Sequence, residues 1–289
     1  MNVATVDYRD PQAPEKFCRS LHETGFAVLE NHPIPWNKIE QAYREWDAFF
    51  NSPEKRNYMY DPKKQDGYVP PEVAELAKGE KKRDIKEFYH LYFPWGRYPT
   101  MISPNSKELF DMKLALGREL LGWIERYLPA HIQAKLKRPL LDTVSVERTT
   151  YRVLYYPAFK GTEEPGAIRA AAHEDINLIT ILPAASEPGL QVKDKKGNWH
   201  EVSCAPHTLA VNVGDMLQEM TDFYYISTTH RVINPEGEQA RKARMSMPCF
   251  IHAKADVYLS EKYPTAEHYL HERLLELGLR KKGDAMQMA

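Results

Sequence analysis

Apolar residues recur along this chain with two different periods. Between residues 13 and 24 they fall about a helical turn apart, with Phe17 and Leu21 on one face and Gly25 as a stop, which predicts an amphipathic helix. Phe26-Ala27-Val28-Leu29 is a short continuous apolar run closed by Asn31-His32-Pro33, and it predicts a strand. Ile39, Tyr43, Trp46 and Phe50 return to helical spacing and predict a second helix. A longer amphipathic helix is expected to start on Ser106 as N-cap, turn Leu109, Leu116, Leu120 and Ile124 inward, and end at Pro129. Residues 61–85 carry Pro70-Pro71 and the charge run Glu80-Lys81-Lys82-Arg83-Asp84, and read as a solvated loop, either plain surface or a lid.

From about residue 143 the pattern changes to short β-rich runs: Thr149–Tyr156, Leu178–Leu182, Leu190–Val192, Leu209–Val213 and Met245–Ile251. Pro188-Gly189, Lys196-Gly197-Asn198 and Glu236-Gly237 punctuate them as turns. Many short strands separated by turns indicate a sandwich, jelly roll or barrel. A terminal helix near Glu267–Leu277 is expected to pack back on this β core. No repeat is evident. The chain reads as one catalytic unit over 1–289: a mostly helical region 1–142, a β core 143–255, and a C-terminal helix and tail 256–289.

Composition narrows the function classes. A hydrophobic fraction of 43% with 27% charged residues is that of a globular chain with a sizeable core. The formal net charge of -1 creates no global field for nucleic acid or anionic membrane. Cys18, Cys204 and Cys249 are far apart and odd in number, against both a disulfide framework and a CxxC site. The start, MNVATVDYRD, lacks the pattern of a signal peptide, and no apolar run is long enough to span a bilayer. A cytoplasmic location is the simplest expectation.

The chemistry lies in the β half. His173-Glu174-Asp175 precedes the largely apolar run 176–182. On an extended strand, residues two apart share a face, so His173 and Asp175 can share one ion while Glu174 points away. With a distant second imidazole, His230 being the best partner, this makes the 2-His-1-carboxylate site of non-haem Fe(II) oxygenases. Alone, His-x-Asp is a weak signal, although among 11 histidines only His173 has an acid two residues on. Arg244-Met245-Ser246 repeats the i, i+2 logic and is the only Arg-x-Ser in the chain. A guanidinium fork with a hydroxyl beside it can hold a carboxylate. Taken alone, it reads as a surface arginine beside a strand hydroxyl.

In order, His173-x-Asp175, His230 and Arg244-x-Ser246 resemble the isopenicillin-N-synthase-like family of Fe(II)/2-oxoglutarate-dependent dioxygenases. The likeness covers most of the chain. Gly25–Pro35 is similar to the family's "GF…NHGI" segment and Asp84-Ile85-Lys86-Glu87 to its "DxKE" stretch. Tyr155-Tyr156-Pro157, Gly189-Leu190-Gln191-Val192, Val213–Leu217 and His230–Pro235 fall in the family's order. The resemblance implies a double-stranded β-helix, or distorted jelly roll, buttressed by helices. It implies iron on His173, Asp175 and His230, and 2-oxoglutarate chelating that iron with its far carboxylate on Arg244 and Ser246. Tyr156 matches a family tyrosine that often contacts the co-substrate; the alternative is a packing aromatic. The implied reaction consumes O2, releases succinate and carbon dioxide, and uses a ferryl oxidant to hydroxylate, desaturate or cyclise a small molecule. Because Asp175 is present, halogenation is not expected.

Three departures stand out: Leu154 where the family often has Asn, Glu174 where Thr is common, and Asp222-Phe223 in place of an "NG" turn. His200 and His207 read as surface residues, and His268 and His271 lack a third ligand. His252 reads as a strand-end residue or a pocket residue. Tyr68, Tyr89, Tyr92 and Trp95 lie where substrate contacts are drawn in this fold. The cluster Lys81-Lys82-Arg83 has no interleaved aromatics, so nucleic-acid binding is not expected. Two other readings stay open: a 2-oxoglutarate-independent iron oxidase, and a non-catalytic small-molecule binder on the same scaffold.

Overall fold

The structure, a computed structural model, describes residues 1–73, 84–93, 95–161, 163, 167–202, 205–234, 236–278 and 280. The cluster Lys81-Lys82-Arg83 and Cys204 lie outside the described residues. The chain opens with β1 (Thr5–Asp7), α1 (Ala13–Thr24), β2 (Phe26–Glu30) and α2 (Trp36–Phe50). Helix α1 buries Ala13, Phe17 and Leu21, a stripe at four-residue spacing. Gly25 ends it in a left-handed conformation, φ 73°, with its N–H donating to the Leu21 carbonyl at 2.8 Å. A Cβ there would lie 2.2 Å from Thr228 Oγ1 and 2.6 Å from the Ile226 carbonyl oxygen. Glycine thus lets the segment leading to His230 pass against the helix end.

The loop expected over 61–85 contains β3 (Gly67–Val69), and β4 (Glu87–Tyr92) follows it. Five of the six β4 residues are buried, so both faces are covered and no alternation marks the strand. The DxKE segment fastens this region down. Asp84 Oδ1 accepts the Ala171 N–H at 3.0 Å, and Lys86 Nζ lies 2.7 Å from Asp84. Helix α3 (Asn105–Arg126) starts after Pro104, with no side-chain cap. The expected cap, Ser106, is buried inside the first turn and accepts Trp46 Nε1–H at 2.9 Å. The helix also stops short of Pro129, which instead precedes the short α4 (Ala130–Gln133).

The β half supplies β5 (Thr150–Tyr156), β6 (Ala170–His173), β7 (Ile179–Pro183), β8 (Leu190–Lys193), β9 (Trp199–Glu201) and β10 (Leu209–Val213). After α5 (Asp215–Met220) come β11 (His230–Val232), β12 (Arg244–Ser246), β13 (Cys249–Ile251) and finally α6 (Ala266–Glu276). The run expected over Met245–Ile251 is therefore two strands. Pro248, which has no N–H to give a ladder, sits at the break.

The larger sheet runs β1-β2-β10-β7-β13-β5-β4-β3, with β12 also on β5, and the smaller runs β6-β11-β8-β9. Strands β1 to β4 come from the region expected to be mostly helical, and they form both ends of the larger sheet. Period-two alternation divides β5 between two cores. Tyr151, Val153 and Tyr155 join the helices' core with Trp46 and Leu109, whereas Leu154 and Tyr156 join Leu190, Val192 and Val232 of the smaller sheet. Two sheets closed over one apolar layer, with helices outside, make a double-stranded β-helix. Among the described residues no helix is long and apolar enough to cross a membrane.

Candidate metal centre and its cavity

His173 is the last residue of β6 and pairs directly with His230, the first of β11. Directly opposed antiparallel residues share a face, and the two rings lie 4.4 Å apart, centroid to centroid. Asp175 follows in the link to β7, where its carbonyl accepts the Asp215 N–H at 2.7 Å. Its Oδ1 is 3.9 Å from His173 Nε2 and 3.8 Å from His230 Nε2. The structure thus assembles the three expected ligands, with one donor atom of each within 4.8 Å of the others.

Backbone carbonyls set the tautomers. His173 Nδ1 is 2.7 Å from the Ala171 oxygen, and His230 Nδ1 is 3.1 Å from the Thr228 oxygen. A carbonyl only accepts, so each Nδ1 carries the proton and each Nε2 offers its lone pair. Burial, reinforced by the neighbouring His230, pushes His173 down to about 4, which keeps it neutral and ligand-ready. Asp175 Oδ2 accepts from Thr180 Oγ1 at 2.6 Å and from Asn212 Nδ2 at 2.8 Å, leaving Oδ1 for a metal. Burial opposes its ionisation, but the two histidines and these hydrogen bonds outweigh that and hold the carboxyl below its usual value. Two imidazoles and one carboxylate without thiolate fit iron(II) in an open site. Glu174 points out of the cluster, hydrogen-bonded to Thr229.

Arg244 and Ser246 project from β12 opposite Tyr156 and Leu154 of β5. Arg244 is 2% exposed; its Nε donates to the Glu187 carbonyl at 2.9 Å, and its buried Nη1 has no partner among the described residues. A second guanidinium, Arg169, is 0% exposed and donates through Nη2 to the Lys242 carbonyl at 3.0 Å; its Nε and Nη1 are likewise unpartnered. Both guanidinium groups lie over the Tyr156 ring, Arg244 at 5.1 Å and Arg169 at 5.9 Å from its centroid. Burial and then the Arg244 charge push Arg169 down to about 10. Unpaired buried donors beside two like charges are costly unless an anion joins them. The donor set therefore fits the far carboxylate of 2-oxoglutarate. Arg169 was not singled out from sequence. It stands four residues before His173, an even step that would have placed it on His173's face had β6 been recognised.

A cavity of about 730 Å3 opens on His173 and Asp175. Tyr92 and Trp95 line it, with their rings stacked 4.6 Å apart. Tyr68 and Tyr89 do not: Tyr89 is buried against Trp46 and Phe49, and Tyr68 is bonded to Glu87. His252, left open between strand end and pocket, lines the cavity. The other four histidines weighed in the sequence serve elsewhere: His200 binds Asp194 at 2.8 Å, His207 packs on Trp36, His268 meets Thr265, and His271 bonds to Arg280. Asp222 and Phe223 hold φ of 50° and 60°, so the turn keeps a left-handed conformation without its glycine.

A double-stranded β-helix built around two histidines and a carboxylate defines a class, the non-haem iron oxygenases. Residues 148–253 match the 2OG-Fe(II) oxygenase superfamily, and residues 4–110 match the non-haem dioxygenase in morphine synthesis N-terminal family. A Shewanella oneidensis protein of known structure, provisionally described as an oxygenase, is 49% identical with a TM-score of 0.87, covering 97% of this chain and 100% of its own. A full-length Neurospora crassa protein, solved in complex with alpha-KG, aligns at 25% identity and TM-score 0.78, over 94% of this chain and 95% of its own. The 2-oxoglutarate-dependent dioxygenase frbA of a Dothideomycetidae species is 26% identical over 272 residues, 81% of this chain and 79% of that protein. The chain belongs to the 2-oxoglutarate–Fe(II) oxygenase superfamily and is a 2-oxoglutarate-dependent dioxygenase.

Proposed function

We propose that the chain oxidises a C–H bond of a small molecule held in the 730 Å3 cavity, with hydroxylation as the primary outcome. His173, Asp175 and His230 would hold iron(II), and Arg244 with Arg169 would hold the far carboxylate of 2-oxoglutarate, flanked by Ser246 and Tyr156. When bound, iron and 2-oxoglutarate supply the oxidising equivalents from O2, with succinate and carbon dioxide as co-products. The protein's own part is orientation. Carbonyls fix both imidazole tautomers, Thr180 and Asn212 fix Asp175, and the apolar layer between the sheets keeps water from the guanidinium pair. The observation that carries this reading is three unpartnered buried guanidinium nitrogens over one tyrosine, in the same barrel as the His–Asp–His cluster.

The reading treats residues 1–289 as one catalytic unit. Tyr92 and Trp95 from the N-terminal region, His173 and Phe250 from the β core, and Leu270 and Leu274 from α6 line the same cavity. Cys18 and Cys249 are free and buried, which suits the reducing cytoplasm we propose as its location. The test is an anaerobic titration of metal-free protein with Fe(II) and then 2-oxoglutarate, followed by succinate release in air. A visible charge-transfer band that needs both, and that vanishes in Arg244→Ala, is the expected result. Iron binding without a band would overturn the co-substrate site, and no iron binding would overturn the enzyme reading.

A further inference from the structure

Arg152 stands in the cavity without a counter-charge among the described residues. Strand β5 aims it, two residues beyond Thr150, into the space in front of the metal cluster. Its guanidinium carbon lies 4.8 Å from the Phe88 ring and 5.3 Å from the Phe250 ring, so two aromatic faces hold it flat. Its Nε is buried with no hydrogen-bond partner. Three other cavity cations are paired: Lys86 with Asp84 at 2.7 Å, Arg148 with Glu267 at 2.6 Å, and Arg273 with Glu276 at 3.0 Å, whereas Lys63 and Lys64 are exposed residues of the lining. Among the described residues no carboxylate lies within salt-bridge distance of Arg152. A guanidinium held this way is a fork without its anion.

The groups beside it narrow the ligand further. His90 stands directly opposite Arg152 in the β4–β5 ladder and is 6% exposed. Its Nδ1 lies 3.3 Å from the Gln65 carbonyl oxygen and so carries the proton, leaving a buried Nε2 lone pair with no donor. His252, 8% exposed on the same cavity wall, also holds its Nδ1 against a carbonyl, that of Phe250 at 3.0 Å, so its Nε2 is the acceptor. The wall therefore offers a charged donor fork beside imidazole acceptors.

We propose that Arg152 is the specificity-determining residue of the oxygenase, and that the prime substrate is a small organic carboxylate. Its carboxylate sits on Arg152, and a hydroxyl or N–H of the same molecule donates to His90 or His252. The stacked Tyr92 and Trp95 rings, Trp95 being 44% exposed, offer a platform for the molecule's apolar body. Charge and geometry decide for a carboxylate over a neutral amide, because the carboxylate brings an opposite charge and two acceptor oxygens to the guanidinium fork, where the amide brings one acceptor and an N–H2 that only donates. This inference rests on the co-substrate reading above, since 2-oxoglutarate must occupy the Arg244–Arg169 pair for a second carboxylate to select Arg152.

The test uses the full chain loaded anaerobically with Fe(II) and 2-oxoglutarate. The probe is mandelate, which joins a carboxylate, a hydroxyl and a ring, compared with its neutral amide. Binding is read from paramagnetic broadening of the probe's proton signals by the iron. We expect mandelate to bind at least about tenfold more tightly than mandelamide, and Arg152→Met to abolish that preference. Arg152→Lys, which keeps the charge without the fork, should retain part of it. Equal binding of acid and amide, no binding of the acid, or a preference unchanged in Arg152→Met would each overturn the proposal. The charge-transfer band, recorded on the same samples, separates the two readings. Its presence with no acid preference sinks the Arg152 assignment alone, and its absence in the wild type sinks the co-substrate reading.

Discussion

Thr180 stands behind the metal ligands rather than among them, and its hydroxyl decides which oxygen of Asp175 faces the histidines. Thr180 Oγ1 and Asn212 Nδ2 both donate to Asp175 Oδ2, at 2.6 and 2.8 Å. Thr180→Val keeps the β-branched shape and deletes the hydroxyl at a site only 2% exposed, where water cannot readily replace it. Asn177 Nδ2, which donates to Thr180 Oγ1 at 3.0 Å, keeps the Ile179 carbonyl at 2.8 Å, so the substitution strands no other donor. A hydrogen bond to a charged group is worth roughly 1.5–3 kcal/mol. Part of that is lost equally with and without metal. The orienting part is lost only on binding, and removal of such an outer partner weakens metal affinity about 10–100-fold. The assay is anaerobic competition for Fe(II) against a chromophoric chelator, alongside thermal unfolding of the metal-free protein. We expect Kd for iron to rise about tenfold or more in Thr180→Val and to recover in Thr180→Ser. An unchanged Kd in the valine variant would refute the claim that Thr180 positions Asp175.

Three further outcomes are expected. Arg169→Met should weaken 2-oxoglutarate binding to the iron-loaded protein by about tenfold or more, read from the charge-transfer band; an unchanged affinity would confine the clamp to Arg244. Phe223→Gly should stabilise the protein by about 1 kcal/mol, because Phe223 holds φ 60° while 54% exposed and gives up little burial; no rise in Tm would count against strain there. Lys113 is fully buried, its Nζ donating to the Met247 carbonyl at 2.8 Å, and burial pushes it down to about 7 from 10.5. Between those values the unfolded chain binds a proton that the folded chain does not, so this group makes stability rise with pH through that window. Lys113→Met should raise stability at neutral pH and flatten its pH slope between about pH 7 and 9, below the range where Cys249, raised to about 12, adds an opposite slope. Parallel slopes for the two proteins in chemical denaturation would contradict the assignment.

The chain's own pattern determined those parts of the molecule that depend on neighbours in sequence. Phe17 and Leu21 mark α1, Trp46 and Phe50 mark α2, and Leu209–Val213 is read from a run of apolar residues that coincides with β10. His173-x-Asp175 was equally legible, since both side chains are set by one short extended segment. Strands β4, β6 and β11 were not legible, because each is short or covered on both faces and leaves no alternation to count. Only the tertiary structure decided what sheet closure brings together. It set His230 opposite His173, laid two buried guanidinium groups over Tyr156, and turned Arg152, His90 and His252 onto one wall. The physical reason is register. A side chain's face is fixed by its own backbone, but the partner it meets depends on which strand pairs with which, and at what offset.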